Sequence, residues 1–375
     1  MDLVQSRGGD QVAMQSVGGE VKFYGGSSEA TEKRSRVRVR VISSALRDLM
    51  MHSTNVIICG HKNADFDCIG SDLCLAQMAK ALHKPVSIIA KTGGIEEKLA
   101  SAMKENKDIL DEEVQFITES EALNQLQDNS LVIMTDHHNK GQSNGAKVLD
   151  IAKKVVVIDH HRRSSEMGVK PILVYIEAAA SSTCELVTEM IPFVSKRTDL
   201  SEVDATFMLA GMTIDTQNWR VRTGARTYEA ASSLRKMGAN PQDANRYLKD
   251  TFQEFAMKSL ALSNSERYSH GIIIAPVEEE GMTRSLMSQV ADNLLNIQSV
   301  NAAFVIANTD NQTAISARSN GTINVQRIME SMGGGGHLSG AAVQREKQDI
   351  HASKAELIAA IEQYFKEEAV DESNT

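Results

Sequence analysis

The fold predicted for this chain follows from the stretch Val155–His161, which has the sequence VVVIDHH. A run of β-branched apolar residues is typical of a short strand that is buried on both faces of a parallel sheet. The strand ends in one aspartate and two histidines, and Arg162 and Arg163 follow them. Ligands of open α/β sheets bind beyond the carboxyl ends of the strands, so these polar side chains lie where a functional site is expected.

Two other predicted strands, 55–59 and 131–134, end in the same kinds of side chain. The residues that follow them include His61, Asp65, Asp67 and Asp136. Helix capping or turn formation would explain one aspartate, but not this whole set together with His160. Such a mixture of carboxylates and imidazoles suits Mn²⁺, Fe²⁺ or Zn²⁺ better than Ca²⁺.

The number of candidate ligands favours two metals over one. A single metal with an open position needs three or four protein ligands, whereas two ions about 3.5–4 Å apart share a bridging carboxylate. We expect Asp67 and Asp136 to be the bridges. Asp215 is a further candidate, because an unpaired carboxylate next to the apolar segment 207–214 would be costly. Its alternative role is an N-cap of the next segment, and we expect His137 and His138 to be loop residues.

The length and composition of the chain are typical of a globular protein, and its cysteines are expected to be reduced thiols. The 375 residues suffice for two or three domains, and the net charge of −9 disfavours binding of long nucleic acid but not of a small anion. The four cysteines form no Cys-x-x-Cys pair, which is typical of a cytosolic protein. No apolar run approaches the roughly 18 residues of a membrane span.

Alternating strand and helix segments from residue 55 onward predict an α/β fold whose parallel sheet is covered by helices on both faces. A smaller αβ domain follows. The expected organisation is a strand pair without a core of its own at 1–32, a first domain at 33–245, a linker helix at 246–268, a second domain at 269–368 and a disordered tail at 369–375.

The second domain carries a glycine-rich segment that ends in His337. Glycines let the backbone approach a ligand closely and present N–H groups to phosphate, although a flexible linker has the same composition. Arg318 ends a predicted strand and could clamp a phosphate. Aromatic residues make up only 4% of the chain, which gives little support for stacking on single-stranded nucleic acid.

Together these motifs resemble those of the DHH phosphoesterase family. The segment 60–71 (GHKNADFDCIGS) is similar to the first motif of that family, Asp136 to the second, 159–161 to the third and Asp215 to the fourth. The glycine-rich segment resembles the signature of the DHH-associated substrate-binding domain. The resemblance extends over about 36–365.

The resemblance narrows to the bacterial cyclic-di-AMP phosphodiesterases of the GdpP type, and residues 6–11 and 23–26 resemble the end of a degenerate GGDEF domain. It implies hydrolysis of cyclic-di-AMP to linear pApA with two Mn²⁺ ions, or other divalent metals. The implied metal ligands are His61, Asp65, Asp67, Asp136, His160 and Asp215. We expect Asp159 and His161 to be catalytic, with His161 acting from behind the metal ligands. The expected substrate-binding residues are Arg318, Gly333, Gly334, Gly335, Gly336 and His337. The sequence departs from the family pattern at Ala64, Cys68 and 139–144.

We therefore expect a cytosolic phosphodiesterase that acts on a cyclic dinucleotide and is part of a longer protein, with any membrane anchor outside this chain. Homodimer formation is compatible with the sequence, which does not determine it. The alternatives are a RecJ-like or short-oligonucleotide exonuclease, a DHH pyrophosphatase, and a nucleotide sensor without turnover. A pyrophosphatase would leave the glycine-rich segment without a role.

Overall fold

The computed structural model describes residues 11–15, 21–25, 35–162, 167–309 and 312–373. The chain forms two compact units that are divided between Lys249 and Asp250. The strands β1 (Gln11–Gln15) and β2 (Val21–Gly25) pair in an antiparallel hairpin. The rest of the predicted remnant at 1–32 lies outside the described residues, so its origin stays a prediction.

The first unit is an α/β structure. Its strands are β3 (Val56–Cys59), β4 (Val86–Ile89), β5 (Gln115–Ile117), β6 (Leu131–Thr135), β7 (Val155–Asp159) and β8 (Leu173–Ile176). Its helices are α1 (Arg36–Met51), α2 (Phe66–Ala81), α3 (Glu97–Glu105), α4 (Lys107–Glu113), α5 (Glu119–Gln125), α6 (Ala146–Ile151), α7 (Thr183–Val194), α8 (Glu202–Asp215), α9 (Ala225–Lys236) and α10 (Pro241–Tyr247). The six strands β3 to β8 are parallel, which confirms the predicted sheet.

The order of the strands creates a binding crevice. The strands are arranged in the order β5-β4-β3-β6-β7-β8. After β3, the chain adds β4 and β5 on one side of that strand, and it then adds β6, β7 and β8 on the other side. Crevices open beyond the carboxyl ends of the strands where the order reverses in this way. The loops after β3 and β6, which carry the predicted metal ligands His61, Asp65 and Asp136, flank this position.

Helices α2 and α8 pack closely because glycines occupy their contact. A Cβ atom on Gly211 would lie 2.6 Å from the Cα atom of Asp67, and a Cβ atom on Gly70 would lie 3.0 Å from the backbone of Met208. Real Cβ atoms do not approach neighbours so closely, so a larger residue at either position would push the helices apart. The close packing fixes the start of α2 against α8.

The second unit is a mixed sheet with helices. Its strands are β9 (Glu266–Tyr268), β10 (Ile272–Val277), β11 (Ala302–Thr309), β12 (Gln312–Ser319), β13 (Gly335–His337) and β14 (Gly340–Glu346), in the order β13-β14-β12-β11-β10-β9. Its helices are α11 (Phe252–Ser263), α12 (Arg284–Leu295), α13 (Val325–Ser331) and α14 (Ile350–Ser373). Only β10 and β11 are parallel, and separate apolar clusters cover the two faces. No helix among the described residues is long and apolar enough to cross a bilayer.

Two expectations differ from the structure. The predicted linker helix over 246–268 is interrupted, because Thr251 begins a new helix through a capping box with Glu254 and residues 266–268 join the sheet as β9. Helix α11 packs against α12 and β10, so it belongs to the second unit. The last helix continues to Ser373, into the expected tail at 369–375, because residues 350–373 contain no glycine or proline that would end it; residues 374–375 lie outside the described chain.

A buried polar cluster joins α2, α4 and α8. The Asp204 carboxylate accepts hydrogen bonds from Gln77 Nε2 (2.9 Å) and from the Ser201 backbone N–H (3.3 Å), both at Oδ2. Its Oδ1 has no hydrogen-bond partner among the described residues. Burial and the charge of Glu113 raise the pKa of Asp204 from 3.8 to about 7.

We predict that Asp204→Asn flattens the pH dependence of stability. A carboxyl whose pKa is raised by folding contributes stability that is fully present below its unfolded pKa and is lost as the pH rises through about 7. The amide cannot ionise, and it keeps one oxygen for Gln77 and Ser201. Above neutral pH the melting temperature of the variant should be several degrees higher than that of the wild type. For a unit of this size, each kcal/mol of stability shifts the melting temperature by about 2–4 °C. Thermal melts across the pH range test this, and parallel curves for the two proteins would contradict it.

Candidate metal centre

The loop after β3 supplies His61 and Asp65. The Nε2 atom of His61 lies 3.3 Å from Asp136 Oδ2 and 3.8 Å from Asp65 Oδ1, and its Nδ1 pairs with the Lys62 carbonyl oxygen at 2.8 Å. Asp65 is also the N-cap of α2, because its Oδ1 accepts the backbone N–H groups of Asp67 and the next residue at 3.0 Å each. The Asp65 carboxylate therefore caps α2 and also lies beside His61 in the cluster.

The carboxylate of Asp67 is held by the start of α7. The backbone N–H of Thr183 donates to Oδ2 at 2.7 Å, and that of Cys184 donates to Oδ1 at 2.8 Å. The positive end of a helix dipole stabilises such a carboxylate. Asp67 is buried, so these bonds fix its orientation inside the unit. The sequence signal for α7 was its capping serine, but nothing in the sequence indicated that the helix would point at Asp67.

Asp136 occupies the centre of the cluster. Its Oδ1 lies 3.4 Å from His160 Nε2 and 3.6 Å from His161 Nδ1, and accepts the hydroxyl of Thr183 at 3.0 Å. The residue has a φ of 59°, a left-handed conformation that non-glycine residues seldom adopt. Backbone conformations of this kind persist where the surrounding structure enforces them, often at functional sites.

His160 connects the remaining carboxylates. Its Nε2 atom lies 3.1 Å from Asp215 Oδ2 and 3.8 Å from Asp67 Oδ2. Asp215 is the last residue of α8, where the negative end of the helix dipole disfavours a carboxylate. The N-cap alternative is therefore wrong for Asp215, because the residue ends a helix instead of starting one.

Asp159 is buried behind this cluster and orients imidazoles. It accepts hydrogen bonds from His138 Nδ1 at 2.5 Å and from the Nδ1 and backbone N–H of His161 at 2.8 and 3.0 Å. These bonds hold the pKa of Asp159 below its ordinary value in spite of its burial. His137 and His138 lie in the loop after β6, as expected, and both are buried there; His138 contacts Asp159 at the end of the adjacent β7.

The charges of the cluster fit a bound cation. Burial and the charges of Asp136 and Asp215 raise the pKa of Asp67 well above its ordinary value. Burial alone would lower the pKa of His61, but its bonds to Asp136 and Asp65 raise it to about 11. Carboxylates crowded into a buried site need positive charge, which divalent cations supply in proteins.

The geometry offers more than one arrangement for such a cation. Among the described residues, three groups could each hold a metal ion, because the possible ligand atoms inside each group lie within 4.8 Å of one another. The groups are His61, Asp65 and Asp136; Asp136, His160 and His161; and Asp67, His160 and Asp215. Asp136 and His160 each belong to two groups. The six residues proposed as metal ligands from the sequence are thus brought together, and Thr183 is a contact that the sequence did not reveal.

The predicted substrate residues lie in the second unit. Arg318 is the penultimate residue of β12, where its Nε lies 3.3 Å from Asp292 Oδ1 and its Nη1 donates to the Ala317 carbonyl oxygen at 3.1 Å. His337 ends β13 and is exposed. A Cβ atom on Gly340 would lie 3.0 Å from the His337 ring and 3.3 Å from Arg318 Nη1, so the two side chains meet at this glycine.

The glycine-rich segment is an edge strand and not a flexible linker. Residues 335–337 form β13, which pairs only with β14 among the described strands. Cβ atoms on Gly334 and Gly336 would lie 2.3 Å and 2.4 Å from backbone atoms of β14. These two glycines are therefore required by the packing of the strand, while the outer edge of β13 is unpaired.

Comparison with known families agrees with these two units. Residues 55–212 match the model described as "DHH family, N-terminal domain", and residues 269–367 match the DHHA1 domain. The chain belongs to the DHH family. The family resemblance read from the motifs is confirmed, including the DHHA1 domain that carries the glycine-rich segment.

Relatives of this DHH protein extend over nearly its whole length. It is 40% identical to the cyclic-di-AMP phosphodiesterases GdpP of Bacillus subtilis (strain 168) and PdeA of Listeria monocytogenes serotype 1/2a (strain 10403S), over 98% of this chain and 56% of each relative. The chain thus spans little more than half the length of these proteins. Among solved structures, an exopolyphosphatase-related protein from Bacteroides fragilis shares the fold, with 18% identity, a TM-score of 0.73, and coverage of 90% of this chain and 98% of that one.

We predict that divalent cations stabilise the first unit through the carboxylate cluster. Saturating Mn²⁺ at about one hundred times its dissociation constant should add about 2.7 kcal/mol to the free energy of unfolding. The gain should shrink in Asp215→Asn, which removes one charge next to His160. The exposed Asp128→Asn, which removes an equal charge elsewhere, should keep the full gain. Melting curves with Mn²⁺ and with a chelator measure it, and equal gains in both variants would place the cation elsewhere.

Proposed function

We propose that this chain is the catalytic part of a Mn²⁺-dependent phosphodiesterase that hydrolyses cyclic-di-AMP to linear pApA. The observation that carries the proposal is the convergence of four aspartates and two histidines at the reversal of the strand order. In this proposal the cluster holds two ions. The ligands are His61, Asp65, Asp67, Asp136, His160 and Asp215.

The choice of substrate is supported by the relatives. Two cyclic-di-AMP phosphodiesterases are 40% identical to this chain over the aligned region, which extends through both the DHH and the DHHA1 domains. Extension through the substrate domain matters, because a shared metal centre alone would support any phosphoesterase activity. A cytosolic location and homodimer formation stay predictions.

When bound, the ions supply Lewis-acid charge that polarises a phosphodiester and activates water. The residues of the chain provide rigid positions for this chemistry. Asp67 is fixed by the start of α7, and Asp136 by Thr183, which makes both suitable as bridging ligands. Asp159 is buried and holds the ring of His161. We assign Asp159 to positioning, and His161, whose side chain is 54% exposed, to contact with a phosphate oxygen.

In the second unit, we assign substrate binding to Arg318, His337 and the glycine segment 333–336. The guanidinium and the imidazole meet at Gly340, and both can donate N–H groups to a phosphate. Among the described strands, β13 pairs only with β14, so the backbone at its outer edge adds further donors. Together these groups would bind the part of the dinucleotide that does not react.

Two other functions are weighed against this one. A RecJ-like or short-oligonucleotide exonuclease would use the same metal ligands, but the acidic chain gives it no large positive charge for a long strand. A sensor without turnover would not need the complete set of ligands. Incubation of the Mn²⁺-loaded protein with cyclic-di-AMP, cyclic-di-GMP, pApA and pyrophosphate, followed by chromatography of the products, distinguishes these functions.

We predict that Asp136→Asn lowers turnover of cyclic-di-AMP by at least about 10²-fold while the fold stays intact. The substitution removes one charge from the centre of the cluster without a change of volume, and loss of a key electrostatic group typically has an effect of this size. Steady-state kinetics at saturating Mn²⁺ measure the loss, and circular dichroism checks the fold. Activity near that of the wild type would remove Asp136 from the site.

We further predict that Arg318→Ala and His337→Ala raise KM and lower kcat for the dinucleotide but leave hydrolysis of bis(p-nitrophenyl) phosphate nearly unchanged. Binding energy far from the reacting phosphorus helps to position it, and the small ester has no second nucleotide to bind.

The matched control is Arg327→Ala, a surface arginine of the same unit that pairs with Glu368. It should leave both reactions unchanged, and metal content should stay constant in every variant. Equal losses on both substrates would show that Arg318 and His337 support the fold or the metal centre instead of binding the nucleotide.

A further inference from the structure

A cavity of about 290 Å³ lies in the first unit among helices α8, α9 and α10, and no candidate metal ligand lines it. Its apolar lining comes from Leu209 and Ala244, with Thr213 on the same side of α8 as Leu209. Trp219 and Arg235 also line it. Pockets for small molecules combine an apolar surface with a few polar groups in this way.

Trp219 is the single tryptophan of the chain, and it is rigidly placed. Its ring stacks on that of Tyr228, with centroids 5.9 Å apart and planes 19° apart. Residues 217–219 are three consecutive non-glycine residues with φ between 48° and 64°. Such a run is costly and persists only where other contacts enforce it.

Hydrogen bonds tie this segment to the end of α8. The backbone N–H of Asn218 donates to the Thr213 carbonyl oxygen at 2.8 Å, and that of Trp219 donates to Thr216 Oγ1 at 3.0 Å. Asp215, a candidate metal ligand, lies between Thr213 and Thr216 in the same turn. A displacement of Trp219 or Thr213 by a molecule in the cavity would therefore act on the position of Asp215.

The residues that line the cavity indicate which class of small molecule it could bind. Arg235 is the only charged residue that lines the cavity, and its Nη1 donates to the Ala239 carbonyl oxygen at 2.7 Å, which anchors the guanidinium. The other N–H groups of an anchored guanidinium suit a carboxylate, sulfonate or phosphate. The indole suits an aromatic ring. The volume is at the low end for ligand pockets, which fits one or two fused rings better than a dinucleotide.

We propose that this cavity is a regulatory site for a small planar organic anion, whose binding changes the activity of the metal centre through the last turn of α8. The binding step stands independently, while the regulatory step rests on the proposed phosphodiesterase function.

The binding step is tested with 8-anilinonaphthalene-1-sulfonate, an aromatic anion that accepts energy from tryptophan. Since Trp219 is the only tryptophan, excitation of the indole reports on probe bound near it. The wild type should show one saturable site, and Arg235→Gln should weaken it at least about tenfold, the range expected for loss of a charged hydrogen bond. Arg235→Lys keeps the charge and should recover part of the affinity.

Lys236→Gln is the matched control, because it removes the same charge from the neighbouring residue, which does not line the cavity. It should bind the probe as the wild type does. In Ala231→Leu the larger side chain should occupy part of the cavity and lower the affinity, with a melting curve to verify the fold. Equal affinities of Arg235→Gln and Lys236→Gln, or full binding by Ala231→Leu, would overturn the site.

The regulatory step is tested by hydrolysis of bis(p-nitrophenyl) phosphate with Mn²⁺ at saturating probe. The rate of the wild type should change at least about twofold, and that of Arg235→Gln should not change at the same probe concentration. Binding without any change in rate would overturn the regulation. Failure of the wild type to hydrolyse either the ester or cyclic-di-AMP would reject the proposed function, and the fluorescence titration would still decide whether the site exists.

Discussion

In the first unit, three carboxylates lie around the imidazole of His160, and the surrounding strands and helices hold them in place. Asp67, Asp136 and Asp215 each place an oxygen 3.1 to 3.8 Å from His160 Nε2. Carboxylates at such distances repel one another in a buried site unless positive charge balances them. A divalent cation is suited to balance this charge, and a histidine that binds such a cation does so as the neutral imidazole.

Rigid elements hold these groups against their repulsion. The start of α7 holds Asp67 by two backbone bonds, and the glycine contacts between α2 and α8 keep Asp67 and Asp215 close. Parallel pairing of β3, β6 and β7 brings three loops to one edge of the sheet. A site built from strand ends and helix starts is preorganised, so little rearrangement is needed when it binds its ligands.

The two units bring different side chains together. The first unit concentrates carboxylates around His160, whereas the second brings Arg318 and His337 together at Gly340. The cavity beside Trp219 lies apart from the metal ligands, yet it shares the last turn of α8 with Asp215.

The sequence by itself determined the parallel sheet and which polar side chains follow its strands, because buried β-branched strands such as β7 have a local pattern and their polar ends follow directly in the chain. It did not determine the break between α10 and α11, where the capping box at Thr251 outweighed a helical composition. Only the tertiary structure decided that α7 points at Asp67 and that His138 binds Asp159, since both contacts join segments that are distant in sequence. Hydrophobic periodicity records which face of an element is buried, but not which polar group it meets there.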